Sequence, residues 1–392
     1  MTVTECHACG SRELSLFHRQ PSVPVNSCLL VDSSREARDF PRGELMLTFC
    51  QACGFVFNPV FDPRLAEYSP RYEETQGFSG HFQEFARQVA ERWITRFDIR
   101  GKDVVEIGCG KGEFLSLMAE LGDNRCIGID PGAVPERLVD PPRGRVTLIP
   151  DFYGEEHAGL PADVIVCRHT LEHIAPVRDF LLKIRQVIGD RTDTVVLFEL
   201  PDVQRVLSEV AFYDVYYEHC SYFSMGSLAR LFRRCGFDVM DVDLAYDGQY
   251  ILLEARPTEG SAAPGTLPQE DDMADLVKGV DNFAFGFERL VRLWRDELAK
   301  AAARGARIVL WGGGSKAVSY ITNVGADSVS YVVDINPYKA NKYIAGSAVR
   351  VVGPDHLEVE PPDLVVVMNP VYADEISAEL DRRGIRAALQ LV

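Results

Sequence analysis

Between residues 101 and 256, short apolar runs alternate with amphipathic stretches. Residues 103–107, 125–129, 146–149, 162–167 and 194–200 are compact runs rich in Val and Ile, and the pattern predicts a strand at each. Residues 114–121 and 177–188 carry apolar positions at helical spacing and read as helices between them. Such alternation predicts a parallel sheet covered by helices on both faces. Upstream, Phe82, Phe85, Val89, Trp93 and Phe97 mark one face of a helix over 81–97. Downstream, residues 257–272 are rich in Pro, Gly, Ser and acids and read as a linker. A long helix over 273–304 follows, its stripe running through Leu276, Val280, Phe283, Phe287, Leu290, Leu293 and Leu298. Strands at 307–311 and 330–333 then begin a second α/β unit.

Composition narrows the picture without redirecting it. At 392 residues the chain calls for two or three domains, and 46% apolar with 25% charged residues is the balance of a water-soluble globular protein. No run reaches the ~20 apolar residues that span a bilayer, and the start lacks a basic segment leading into an apolar one, so a cytoplasmic protein with no membrane partner is expected. The net charge of −17 is spread along the chain with no basic block, which argues against a nucleic-acid partner and against an RNA-modifying role.

Five of the ten cysteines precede residue 54. Cys6-His7-Ala8-Cys9-Gly10 and Cys50-Gln51-Ala52-Cys53-Gly54 are matching CxxCG knuckles, and together they supply the four thiolates that structural zinc prefers. The competing reading is four buried free thiols, and His7 and Cys28 are lesser candidate ligands. A closed four-thiolate site leaves no position for water, so its expected role is structural.

The central chemistry is announced by Glu106-Ile107-Gly108-Cys109-Gly110-Lys111-Gly112 at the end of the first core strand. A dinucleotide turn wants G-x-G-x-x-G, but Glu113 stands where its third glycine belongs. Asp130 ends the second strand, where an acid can accept ribose hydroxyls. Asp151 and Phe152 follow the third, placed for an adenine amino group and ring. On these residues the chain resembles the class I methyltransferases that use S-adenosylmethionine. The resemblance implies that Glu106, Gly108, Gly110, Asp130, Asp151 and Phe152 line the cofactor site.

Two histidine clusters lie where an acceptor would sit. Arg168-His169-Thr170-Leu171-Glu172-His173 follows the fourth strand, and Tyr213 to Phe223, containing Tyr216-Tyr217-Glu218-His219-Cys220-Ser221-Tyr222, follows the fifth. Histidine titrates near neutrality and can carry a proton during catalysis. His169 could position the methionine part of the cofactor. His173 is equally readable as a histidine satisfied in a helical turn. The order of knuckles, class I core and Tyr-x-Glu-His-x-Ser-Tyr-Phe-Ser segment is similar to the sugar C-methyltransferases, which methylate C3 of a nucleotide-linked, typically dTDP-linked, 4-keto-deoxysugar. That resemblance implies His219 as general base, Glu218 and Tyr216 beside the substrate, His173 holding the sugar and Tyr72 reaching over from the N-terminal lobe. Tyr216, Tyr222 and His173 are the candidates for stabilising an enolate oxygen. The chain departs from the family at Tyr217, at Cys220 and in its 168–173 turn, so the alternative is a methyltransferase of the same architecture acting at carbon or oxygen of a different sugar or small metabolite.

In the last third, Gly312-x-Gly314-x-x-Ala317 satisfies the dinucleotide pattern, with Asp334 ending the next strand, so an NAD-dependent half is an alternative. The family resemblance implies instead a C-terminal domain that encloses the nucleotide-sugar, with Gly314, Ser315 and Lys316 facing its diphosphate and Asn336 and Lys339 nearby. The expected organisation is a zinc lobe over 1–70, a Rossmann-like methyltransferase core over 71–256 and a second Rossmann-like domain over 257–392, as a monomer or homodimer.

Overall fold

The computed structural model describes residues 4–138, 145–258 and 266–392. The middle of the expected linker, 259–265, lies outside the described residues.

The N-terminal lobe is built from β1 (Leu14–Pro24), the short α1 (Ser34–Arg38), β2 (Arg42–Cys50) and β3 (Val56–Phe57), with neighbouring strands antiparallel. Its two knuckles are near copies: Gly10 N–H donates to Cys6 O and Gly54 N–H to Cys50 O, at 2.8 and 2.9 Å. Both glycines have left-handed φ, +78° and +77°. A side chain there would be strained, which is why each pair of thiols is followed by glycine.

The core begins with α2 (Gly80–Phe97), whose first turn is capped when Phe82 N–H donates to Ser79 Oγ. There follow β4 (Asp103–Ile107), α3 (Glu113–Gly122), β5 (Arg125–Ile129), β6 (Val146–Ile149), β7 (Val164–Arg168), α4 (Val177–Ile188), β8 (Val195–Pro201), α5 (Val203–Glu209), β9 (Ser221–Tyr222), α6 (Met225–Arg234), β10 (Phe237–Ala245) and β11 (Tyr250–Pro257). The sheet order is β10-β11-β8-β7-β4-β5-β6, with β4 to β8 parallel and β11 antiparallel to both neighbours. This is the class I methyltransferase core anticipated above. Alternate strand residues serve opposite layers, as the pleat dictates. Val104, Val166 and Leu197 pack toward Trp93 of α2 and Leu115 of α3. Val105, Ile165 and Phe198 pack toward Leu181 of α4 and Phe232 of α6, the layer that also holds Cys6, Cys50 and Cys53.

The C-terminal unit opens with α7 (Met273–Ala303) and continues with β12 (Ile308–Trp311), α8 (Ser315–Val324), β13 (Tyr331–Val333), β14 (Val351–Val352), β15 (Leu364–Val367), α9 (Ala373–Arg382) and β16 (Ala388–Leu391). Its five strands are all parallel in the order β14-β13-β12-β15-β16. One apolar cluster joins all three parts, with Phe283 and Phe287 of α7 meeting Leu45 of the lobe, Phe212 of the core and Tyr320 of α8. The long helix thus braces the three parts.

Strand β9 is paired with β3 rather than with the core sheet, Val56 opposite Tyr222 and Phe57 opposite Ser221. The lobe therefore reaches into the middle of the chain and fixes the segment that carries His219.

Candidate active site

The switch from β4 to α3 forms a glycine cradle. Gly108, Gly110 and Gly112 all have left-handed φ, +72°, +54° and +83°. A Cβ on Gly108 would lie 1.9 Å from Thr170 Oγ1, and one on Gly110 2.6 Å from Glu74 Oε1. Only bare backbone fits. Asp130 fixes the turn: Gly110 N–H donates to its Oδ2 at 3.0 Å and Gly132 N–H to its Oδ1 at 2.6 Å. Glu106 is buried with Oε2 unpartnered, and burial pushes its carboxyl up to about 8. Asp151 and Phe152 stand past the end of β6, where Phe152 N–H donates to Asp151 Oδ1 and the Phe152 ring is 63% exposed. The glycine cradle and the orphaned buried carboxylate oxygen suit a ligand that presses against backbone and brings positive charge, as S-adenosylmethionine does.

The 212–222 loop is held from two sides. From the lobe, Asn58 N–H donates to Cys220 O at 2.9 Å beside the β3–β9 pair. From the C-terminal domain, Ser319 Oγ of α8 donates to Phe212 O and Val215 O at 2.9 and 2.7 Å. The side chains so placed converge. His219 and His173 meet edge to face, ring centres 4.7 Å apart, and Tyr216 lies 4.2 Å from His219. Tyr68 OH is 3.0 Å from His173 Nδ1. Tyr72 OH donates to Glu218 Oε1 at 3.0 Å, and Ser27 Oγ donates to the same oxygen at 2.5 Å. Burial pushes Glu218 up to about 7 against these hydrogen bonds. Burial, with His173, His169 and Lys316 nearby, lowers His219 well below the ordinary histidine range, so its imidazole is neutral near pH 7. Tyr222 differs: its hydroxyl donates back to Tyr216 O at 3.3 Å, behind the cluster.

His169 adopts a left-handed φ of +48°, a strained setting for a non-glycine residue at the end of β7. Its Nε2 is 2.7 Å from Glu199 Oε1 and its Nδ1 3.6 Å from Glu172 Oε1. Burial opposes its charge, but the two acids outweigh burial and raise it to about 9. Arg168 grips the far side of Glu199 with two hydrogen bonds of 2.8 and 2.9 Å. His169 is therefore an imidazolium with both nitrogens engaged, unsuited to act as a base.

A cavity of about 450 Å³ lies between the histidine cluster and the C-terminal domain; Glu106, Gly108, Gly110, Asp130, Asp151 and Phe152 are not among its lining residues. His169, His173, Tyr216 and His219 line it from the core; Gly314, Ser315, Lys316, Asn336 and Lys339 line it from the C-terminal domain. Lys316 is paired with Asp214, which Arg205 also engages, and Lys339 Nζ lies 3.5 Å from Asp334. Asp334 plays the part that Asp130 plays in the core, accepting from Gly313 N–H at 2.7 Å and from Asn336 N–H at 2.8 Å. Ser27, Cys28, Tyr68 and Glu74, absent from the sequence-based set, belong to the same surroundings: Cys28 and Glu74 line the cavity, and Ser27 Oγ donates to Ser315 Oγ at 2.7 Å. Tyr68 and Glu74 flank Tyr72, the residue already marked in the sequence, in a tyrosine-rich run.

Away from the cavity, the Cys6, Cys9, Cys50 and Cys53 sulfurs lie within 4.8 Å of one another, a set that could hold a metal ion. Cys6 Sγ to Cys53 Sγ is 3.7 Å and Cys9 Sγ to Cys50 Sγ 3.6 Å. Among the described residues no helix is long and apolar enough to cross a membrane.

Comparison with known proteins agrees with this anatomy. Residues 82–242 match the family described as "Methyltransferase domain" and residues 259–388 the family described as "C-methyltransferase C-terminal domain". The chain is 24% identical to the C-methyltransferase NovU of Streptomyces niveus over 95% of its own length and 91% of that protein's. Among solved structures, the 1,6-didemethyltoxoflavin-N1-methyltransferase of Burkholderia thailandensis has 20% identity and a TM-score of 0.34, covering 47% of this chain and 83% of that one. The magnesium protoporphyrin IX methyltransferase of Synechocystis PCC 6803 with bound S-adenosylhomocysteine has 16% identity and a TM-score of 0.35, covering 45% and 84%. The fold assignment rests on the strand order given above. The chain is an S-adenosylmethionine-dependent methyltransferase with a class I core, and its C-terminal unit is similar to the C-methyltransferase C-terminal domain.

Proposed function

We propose that this enzyme methylates carbon C3 of a nucleotide-linked 4-keto-deoxysugar, with His219 as the general base. The observation that carries the reading is the shared cavity: the histidine and tyrosine cluster of the core faces the Gly314–Lys316 turn, Asn336 and Lys339 across one space. When bound, S-adenosylmethionine supplies an electrophilic methyl group; Glu106, Gly108, Gly110 and Asp130 would hold it, with Phe152 offering an exposed ring for stacking. A ketone at C4 acidifies the proton at C3. His219, kept neutral by burial, takes that proton on an imidazole nitrogen. Tyr216 and His173 flank it and can donate toward the enolate oxygen. Tyr72 and Ser27 steady Glu218 and so the loop that bears the base. Backbone and lysine groups of the C-terminal turn receive the diphosphate.

The direct test is exchange of the C3 proton into deuterated water, followed by NMR with S-adenosylhomocysteine present. Wild-type enzyme should exchange it. His219→Asn should slow exchange by about 10²–10⁴-fold, the usual span of general-base catalysis, while binding S-adenosylhomocysteine normally. Retained exchange would remove His219 from the role.

The four-cysteine set is proposed to hold structural zinc. Tetrahedral Zn–S bonds of about 2.3 Å place the sulfurs roughly 3.8 Å apart, close to the 3.6 and 3.7 Å separations found. One equivalent of zinc in protein purified without chelator is the expected metal analysis; substantially less than half an equivalent counts against it.

A further inference from the structure

Glu74 is the side chain that touches both the glycine cradle and the cavity. It comes from the segment just before α2, and its Oε1 lies where a Cβ on Gly110 would fall within 2.6 Å. It also lines the cavity. Its Oε2 is buried and receives no hydrogen bond. Lys111 Nζ pairs with that oxygen at 3.6 Å, beyond hydrogen-bond length, while two of its three N–H groups go to Tyr72 O and Gly132 O at 2.8 and 2.7 Å. Asp130 and Glu113 add negative charge nearby, and burial with these acids pushes Glu74 up to about 7 despite Lys111. One oxygen of the carboxylate is therefore held against bare backbone while the other lacks a hydrogen-bond donor, in a setting with more acids than cations.

Resting on the methyl-donor reading of the cradle, we propose that Glu74 receives the α-ammonium group of the donor's amino-acid portion. An ammonium supplies N–H donors as well as charge. The sulfonium of the same molecule carries charge but no N–H, so it would leave Oε2 unsatisfied. The adenosine portion offers no cation at all. Glu74 is thus a residue that binds the amino-acid end of the ligand, distinct from the acids that close β4 and β5.

Calorimetry on the full chain with two thioethers separates this from a structural role. S-Adenosylhomocysteine carries the amino-acid portion; 5′-methylthioadenosine lacks it. Glu74→Gln should weaken S-adenosylhomocysteine about 10- to 100-fold, the loss expected for one charge-assisted hydrogen bond, and leave methylthioadenosine within about twofold. Because the buried carboxylate resists ionisation, the Gln variant should melt no lower than wild type, and Glu74→Asp, charged but shorter, should fall between the two in affinity. Equal weakening of both ligands, or of neither, overturns the proposal. Weakened S-adenosylmethionine with unchanged S-adenosylhomocysteine would turn the carboxylate toward the sulfonium and overturn it too. Wild-type protein that binds neither thioether removes the methyl-donor reading itself, and this inference with it.

Discussion

The two α/β halves use the same backbone device in different electrostatic settings. In each, a strand runs into glycines and a helix, and the acid at the end of the next strand accepts from a glycine N–H: Asp130 from Gly110, Asp334 from Gly313. The surroundings differ. Around the core turn are three left-handed glycines and two carboxylates, Glu74 and Glu106, each with a buried unpartnered oxygen. Around the C-terminal turn, Gly312 is left-handed while Gly314 is not, and Lys316, Lys339 and Arg205 face the cavity against Asp214 and Asp334. A shared turn therefore says little about its ligand. The side chains contributed from other parts of the chain decide whether it favours a cation or an anion.

The largest effects should come from breaking the two turns separately. Asp130→Ala is expected to weaken S-adenosylhomocysteine about 10- to 100-fold and leave a nucleoside diphosphate unaffected; Asp334→Ala should do the reverse, since each removes charge-assisted hydrogen bonds from one half. Calorimetry with both ligands on both variants checks this. If Asp334→Ala weakened the thioether and spared the nucleotide, the comparison would fail.

Acidity should separate the halves more gently. Glu74 at about 7 and Glu106 at about 8 are raised, so each binds a proton in the free protein where an exposed acid would not. A cationic ligand favours their ionised forms and expels those protons. Affinity for S-adenosylhomocysteine should then rise from pH 6 to 7.5, by at most about tenfold per unit for each proton released. Lys339 is raised, burial being outweighed by Asp334, and stays charged over that window, so affinity for a nucleotide-sugar, whose diphosphate has no terminal phosphate to titrate there, should be nearly flat. A falling thioether affinity would contradict the sign.

Much of this was legible from residues in one run. The strands at 103–107, 125–129 and 146–149 and the helix at 177–188 stand where the pattern put them, because parallel strands buried on both faces are nearly uninterrupted in Val, Ile and Leu. The strands expected at 162–167 and 194–200 are Val164–Arg168 and Val195–Pro201. The hairpin of β10 and β11 was not read at all. Asp238, Asp241 and Asp243 interrupt its first strand, and its turn is carried by left-handed Tyr246, Asp247 and Gly248. The glycine loop and the histidine clusters could be found because each is local. Ser27 could not, since its meaning arises only when Ser315 is folded against it, and the run around Tyr72 said nothing of Glu74 lying against Gly110. Likewise the GxGxxA match at Gly312 described a turn correctly while saying nothing of the lysines around it.

The most direct test of the account is transfer of an isotopically labelled methyl group from S-adenosylmethionine to a dTDP-linked 4-keto-6-deoxysugar, with the product followed by carbon–proton correlation NMR. The account predicts one labelled methyl bonded to ring carbon C3, formed in step with S-adenosylhomocysteine. A labelled methyl on oxygen, or no transfer from a donor and sugar that both bind, would contradict it.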